Sequence, residues 1–112
     1  MAYNQYLEER ISRILNEKKV FFKGKKMMGG ITFMVNEKMC VGIIKDDLML
    51  RIDPDIYEEC IQKPGCRPMD FTKRPMKGFV YVSPEAVDLD NDLEMWIQLA
   101  LDFNPKAKKS KK

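Results

Sequence analysis

Apolar side chains at Leu7, Ile11, Ile14 and Leu15 recur at i, i+4, i+7 and i+8, the spacing that lines one face of an α-helix. With Asn4 placed to cap it, the pattern predicts a first helix over residues 5–18. Val20 to Lys26 mixes apolar and basic residues ahead of Gly29-Gly30 and reads as a loop or irregular strand entering a tight backbone feature. Three short β-rich runs follow, over residues 31–35, 39–44 and 48–52, separated by Asn36-Glu37-Lys38 and Lys45-Asp46-Asp47. Connections this short suit hairpins and cannot hold a helical crossover, so the three strands are expected to be antiparallel neighbours. In the third run Leu48, Leu50 and Ile52 alternate with Met49 and Arg51, which turns one face to a core and the other to solvent or a partner.

Asp53-Pro54 then combines an acidic cap with proline at a first helical position, and Pro64-Gly65 ends the short helix, whose buried edge is Ile56, Cys60 and Ile61. Residues 67–83 return to extended structure with Phe79-Val80-Tyr81-Val82 as their β-branched and aromatic run, enough for two more strands. Leu93, Trp96, Ile97, Ala100 and Leu101 mark a last amphipathic helix, with Asn91 and Glu94 as a capping-box-like start and Asn104-Pro105 as its stop. The order α-β-β-β-α-β-β-α lacks βαβ alternation. It predicts a two-layer α+β domain, an antiparallel sheet with the helices packed on one face and the other face left for dimerisation or partner docking.

At 112 residues the chain is one domain, placed at 1–105, followed by a lysine-rich tail over 106–112 that is too charged and too poor in apolar residues to fold. The longest apolar run, Met39 to Ile44, falls far short of the ~18 residues a membrane helix needs. The start has no basic segment leading into an apolar stretch, so no secretory signal is expected and a cytoplasmic location is. The formal charge of +3 is set by that tail: five of the 20 cations are its lysines, and the body carries 15 cations against 17 acids. A basic folded surface is therefore not what the charge reports.

The chain has no histidine, which removes histidine-containing zinc sites and histidine-activated nucleophiles. Its three cysteines, Cys40, Cys60 and Cys66, lack C-x2-C spacing; Cys40 and Cys60 read as small core side chains, and Cys66, in a Pro-Gly turn, as the candidate exposed thiol. Gly24 and Gly29 have the separation of P-loop glycines, but Gly30 and Ile31 stand where Lys and Ser or Thr belong. Asp88, Asp90 and Asp92 mimic half a calcium loop, yet Leu93 and Leu99 replace the turn glycine and the bidentate acid, so these carboxylates are better read as favouring a helix N-terminus. No cofactor and no metal site is called, and no catalytic residue.

The segment Arg67-Pro68-Met69-Asp70-Phe71-Thr72-Lys73-Arg74-Pro75-Met76-Lys77-Gly78 repeats Arg-Pro-Met and gathers four cations around one carboxylate. Arg67, Arg74 and Lys77 could form a surface for an anion or an acidic partner. The structural alternative pairs Asp70 with a nearby arginine and lets the prolines fix bends in an edge connection.

These residues carry a resemblance to the TfoX (Sxy) family, specifically its N-terminal domain. The other matching pieces are Lys26-Met27-Met28-Gly29-Gly30 followed by Ile31-Thr32-Phe33-Met34, then Met39-Cys40-Val41-Gly42, Leu50-Arg51-Ile52, and Gly78-Phe79-Val80-Tyr81-Val82, so that the likeness spans residues 3–103. Met28 replaces the phenylalanine, and Lys73 a glycine, that are common at those places in the family. The resemblance implies an antiparallel α+β domain akin to secretion-chaperone-like folds, in agreement with the order read above. It also implies a link to the regulation of DNA-uptake competence, in which full-length members act with a transcription activator. The resemblance covers the family's N-terminal domain alone, and its C-terminal helical domain is not expected here, which leaves competence control an expectation of the full-length members. The resemblance marks Lys26, Arg67, Asp70, Arg74 and Lys77 as candidate binding positions and Gly29, Gly30 and Gly78 as structural motif positions.

The expectation is a non-enzymatic regulatory or interaction module that meets a protein partner, or a second copy, through the sheet face and residues 67–78. The alternative is a nucleic-acid-binding protein that uses the lysine tail with Lys25, Lys26, Arg67, Arg74 and Lys77. Neither reading involves a membrane.

Overall fold

In the computed structural model, which describes residues 4–27, 30–68 and 78–106, the expected two-layer α+β architecture is present. Helix α1 spans Gln5–Glu17. Asn4 caps it as the sequence indicated, its Oδ1 accepting from the Leu7 backbone N–H at 3.0 Å. Leu7, Ile11, Ile14 and Leu15 are all buried.

Six strands follow: β1 (Lys23–Met27), β2 (Gly30–Val35), β3 (Lys38–Ile44), β4 (Asp47–Arg51), β5 (Cys66–Pro68) and β6 (Phe79–Val82). Every pairing is antiparallel, in the spatial order β1-β2-β3-β4-β6-β5. The segment before Gly30, read as a loop or irregular strand, is a regular edge strand, so the sheet has one strand more than the sequence order counted. Lys45, at φ 57°, and the pair Asn36 and Glu37, at φ 54° and 66°, make the tight hairpin turns that the short connections required.

Between β4 and β5 the chain forms a 3-10 turn, Pro54–Ile56, with the Asp53 carboxylate accepting from the Asp55 N–H at 2.9 Å, and then a single helical turn, α2 (Tyr57–Cys60). Tyr57 and Cys60 are the buried side chains there, whereas Ile56 and Ile61 pack at the margin of the core. After β6 a second 3-10 turn, Pro84–Val87, leads into α3 (Asp90–Phe103). The capping box expected from Asn91 and Glu94 does not form: the helix begins at Asp90 behind Leu89, with no side-chain cap, and Asp90 and Asp92 place negative charge in its first turn.

Alternate strand residues decide the two layers. Ile31, Phe33, Val41, Ile43, Leu48, Leu50, Val80 and Val82 join the buried residues of all three helices in one core. Their neighbours Thr32, Met34, Gly42, Ile44, Met49, Phe79 and Tyr81 lie on the opposite face, the helix-free one except at the end of β4, where Arg51 reaches the Phe103 ring of α3. Arg10 is the unusual member of α1, 8% exposed, where its guanidinium donates to the Val87 carbonyl at 2.8 Å and to Asp90 Oδ1 at 3.0 Å. It thereby ties α1 to the entrance of α3.

Candidate functional site

Two of the candidate binding residues, Lys26 and Arg67, lie among the described residues, one at each edge of the sheet. Lys26 lies on β1, exposed, in register with Ile31. Arg67 lies on β5, at the other end of the strand order, in register with Tyr81. Five inter-strand steps of ~4.8 Å separate the edges, about 24 Å, so these two cations cannot grip one small anion together. Asp70, Arg74, Lys77 and Gly29 lie outside the described residues, as does the lysine tail beyond Lys106.

Arg67 is already engaged. Its guanidinium pairs with Asp47 Oδ2 at 2.9 Å, donates to Ser83 Oγ at 2.6 Å, and lies over the Tyr81 ring with its central carbon 5.6 Å from the centroid. β-Strand spacing creates this cluster: Asp47 opens β4, Ser83 follows β6, and Arg67 and Tyr81 face each other across the β5–β6 ladder. Across β6 from Arg67, on β4, the arrangement recurs, with Arg51 5.5 Å from the Phe79 ring and 6.0 Å from that of Phe103. Two aromatic residues at alternate positions of β6 thus each have an arginine over the ring; the Arg67–Tyr81 pair lies at the sheet edge, whereas Arg51 and Phe79 meet the end of α3 through Phe103. Sequence reasoning identified Arg67 but not this pairing with the rings. The signal was present in the alternation Phe79, Tyr81, yet which strand would lie beside β6 is a matter of topology.

The face is less bare than alternation alone suggested. Met49, expected on the solvent side, is 5% exposed, and Thr32 is 3% exposed. The Met49 methyl lies in the space that a side chain at position 42 would occupy, so Gly42 lets the thioether lie flat on the sheet. Met34, Ile44, Phe79 and Tyr81 are half-buried around this centre.

Gly30 and Gly78 have separate structural duties. A Cβ at Gly30 would collide with the Ile43 carbonyl oxygen, so close approach of β2 and β3 requires glycine there. Gly78 has φ 94°, and its carbonyl accepts from the Ile52 N–H at 2.7 Å, which carries the β4–β6 pairing past the end of β4.

The cysteines are all free and all buried. Cys66, read as the exposed thiol, is only 7% exposed: it is the first residue of β5, opposite Val82, and its side chain enters the core although the preceding Pro-Gly turn is at the surface. Burial, and secondarily the neighbouring Cys60, pushes its pKa up to about 11 against the opposing pull of Arg67 and Lys63. Burial likewise pushes Cys40 up to about 12 and raises Cys60. None of the three is a ready thiolate at neutral pH.

Among the described residues no group of three or more acidic or thiol side chains is placed to hold a metal ion, and no helix is long and apolar enough to cross a membrane. An open cleft of about 570 Å³ between Lys18–Phe21 and the end of α3 is lined chiefly by Val35, Asn36, Gln98, Leu101 and Asn104, without a thiol or a carboxylate.

Neither curated proteins nor solved structures gave a match to the chain. The family profile described as the TfoX N-terminal domain matches residues 18–104, from the end of α1 through the whole sheet to the end of α3. Since that span covers most of the 112 residues, the chain belongs to the TfoX N-terminal domain family.

Proposed function

We infer that this domain is a non-enzymatic regulatory module that acts by holding another protein against the helix-free face of its sheet and the adjoining segment 67–78. The observation that carries the reading is the disposition of β6. It carries Phe79 and Tyr81 on the face opposite the core, both half-buried and each with an arginine over its ring, on the same face as the half-buried Met34. Aromatic, methionine and arginine side chains are the types enriched where proteins meet. The three thiols, with raised pKa values, and the lack of histidine leave little for bond-making chemistry. Family membership supports a place in regulation, with transcription and DNA-uptake competence the processes proposed, in the cytoplasm.

The rival reading, nucleic-acid binding through the basic segment, is weakened by Arg67, whose charge is already matched by Asp47. A purified bait carrying Arg74→Ala and Lys77→Ala should lose a partner captured by the native chain while melting at nearly the same temperature. A large fall in melting temperature with capture intact would overturn the reading. A steep loss of affinity for oligonucleotides with added salt would favour the rival.

A further inference from the structure

Strand β1 ends the sheet and pairs only with β2, so one of its edges offers backbone N–H and C=O groups that no described residue takes up. Lys23, Gly24, Lys25 and Lys26 are all exposed. Lysines on an edge are a known defence against edge-to-edge pairing, and here they bar a second copy, because β1 laid against β1 would set lysine beside lysine. That defence does not account for Phe21, which stands two residues before the strand and is 96% exposed. From Lys18 to Met27 the chain holds five lysines and no acid. Only Lys18 has a carboxylate partner among the described residues, Glu94 at 3.0 Å.

We propose that the β1 edge takes up an extended acidic segment of another protein as a seventh strand, with an apolar side chain of that segment seated against Phe21. The register with β2 fixes the pattern such a segment needs. Lys23 and Lys25 lie opposite Met34 and Thr32 and so share the helix-free face, whereas Lys26 lies opposite Ile31 on the helix side. Carboxylates two residues apart on the incoming strand would meet the first pair, and a third, of opposite parity, would meet Lys26. A row of alternating donors and acceptors is what a peptide backbone complements; a phosphodiester chain would use the lysines and leave that row unmet. This surface lies at the opposite edge from Arg67, so it is independent of the proposed function and is tested separately.

The test uses the full chain, labelled for amide chemical shifts. It is titrated with an end-blocked ten-residue peptide of alternating Glu and Val, the same peptide with alternate backbone nitrogens methylated, an alternating Lys and Val peptide, and a ten-nucleotide oligothymidylate. The acidic peptide should bind and move the amides of Phe21 to Lys26. Backbone methylation should weaken it at least about tenfold, since it removes hydrogen bonds without changing charge. Lys23→Glu with Lys25→Glu should abolish binding, and Phe21→Ala should weaken it severalfold, both without a change in melting temperature. Equal binding of the methylated peptide would reduce the surface to non-specific charge attraction and overturn the proposal. So would no binding of the acidic peptide up to about 1 mM, or binding of the oligothymidylate alone.

Discussion

Asn104, at the end of α3, donates through Nδ2 to the carbonyl oxygen of Val35 at 3.1 Å, which fastens the last helix to the turn between β2 and β3. The same side chain, 3% exposed, accepts through Oδ1 from Asn36 Nδ2 at 2.8 Å, and its backbone carbonyl accepts from Lys38 Nζ at 3.0 Å. Replacing it with leucine leaves the Val35 carbonyl buried without its donor. Asn104→Leu is expected to cost about 1–3 kcal/mol, read as a shift in the denaturant midpoint with unchanged slope. Asn36→Gly, which keeps the positive φ but drops one hydrogen bond, should cost less.

Arg10 and Asp90 form a pair of unequal partners, with 10% and 65% of their side chains exposed. Arg10→Met removes the donor to two backbone carbonyls as well as the ion pair, and a loss of about 2 kcal/mol is expected. Asp90→Asn removes a charge that is mostly in water and should cost under about 1 kcal/mol. Thermal melts of both variants check the ranking; equal losses would contradict it.

The buried thiols make the fold sensitive to alkali. A thiol whose folded pKa lies above its unfolded value stabilises the fold below the unfolded value, near 9, and that contribution is lost as pH rises toward the folded value. For Cys66 the loss runs from about 9 to about 11, and for Cys40 from about 9 to about 12. Each thiol steepens the decline by up to about 1.4 kcal/mol per pH unit. Denaturant titrations across this range should show the slope reduced in Cys40→Ala, and a thiol reagent at pH 8 should label the native chain slowly and the unfolded chain fast.

Gly30 and Gly42 sit in the same sheet but should respond differently to an added methyl. At Gly30 the obstacle is the Ile43 carbonyl, part of the ladder itself, and at Gly42 it is mainly the movable end of Met49. Gly30→Ala is therefore expected to cost upward of about 2 kcal/mol and Gly42→Ala less, with Met49→Ala relieving part of the second penalty in a double variant.

Elements whose side chains alternate between water and core were legible in the sequence. Helices α1 and α3, the β2–β3–β4 meander and β6 all announce themselves through repeating apolar positions, and the α+β class follows from their order. Strand β1 does not, because Lys-Gly-Lys-Lys-Met has no apolar period; it is a strand by virtue of its bonds to β2. The burial of Cys66 and Arg10 was hidden for a related reason. Each depends on a partner 16 or more residues away, Val82 across the ladder and Val87 beyond β6, and local pattern carries no information about it. Lys26 and Arg67 were legible as candidate cations, but only the strand order reveals that they stand on opposite edges.

That strand order also sets a sequence of events during folding. Strands β1 to β4 succeed one another through tight turns and can pair as soon as neighbours meet, whereas β6 reaches β4 only after residues 52–78 have been drawn into a closed loop. Until that closure the outer margin of β4, with Leu48 and Leu50, waits uncovered and has no lysine row to repel a stranger. The interval of greatest vulnerability to misassembly thus belongs to the middle of the finished sheet, at a seam that the mature protein conceals.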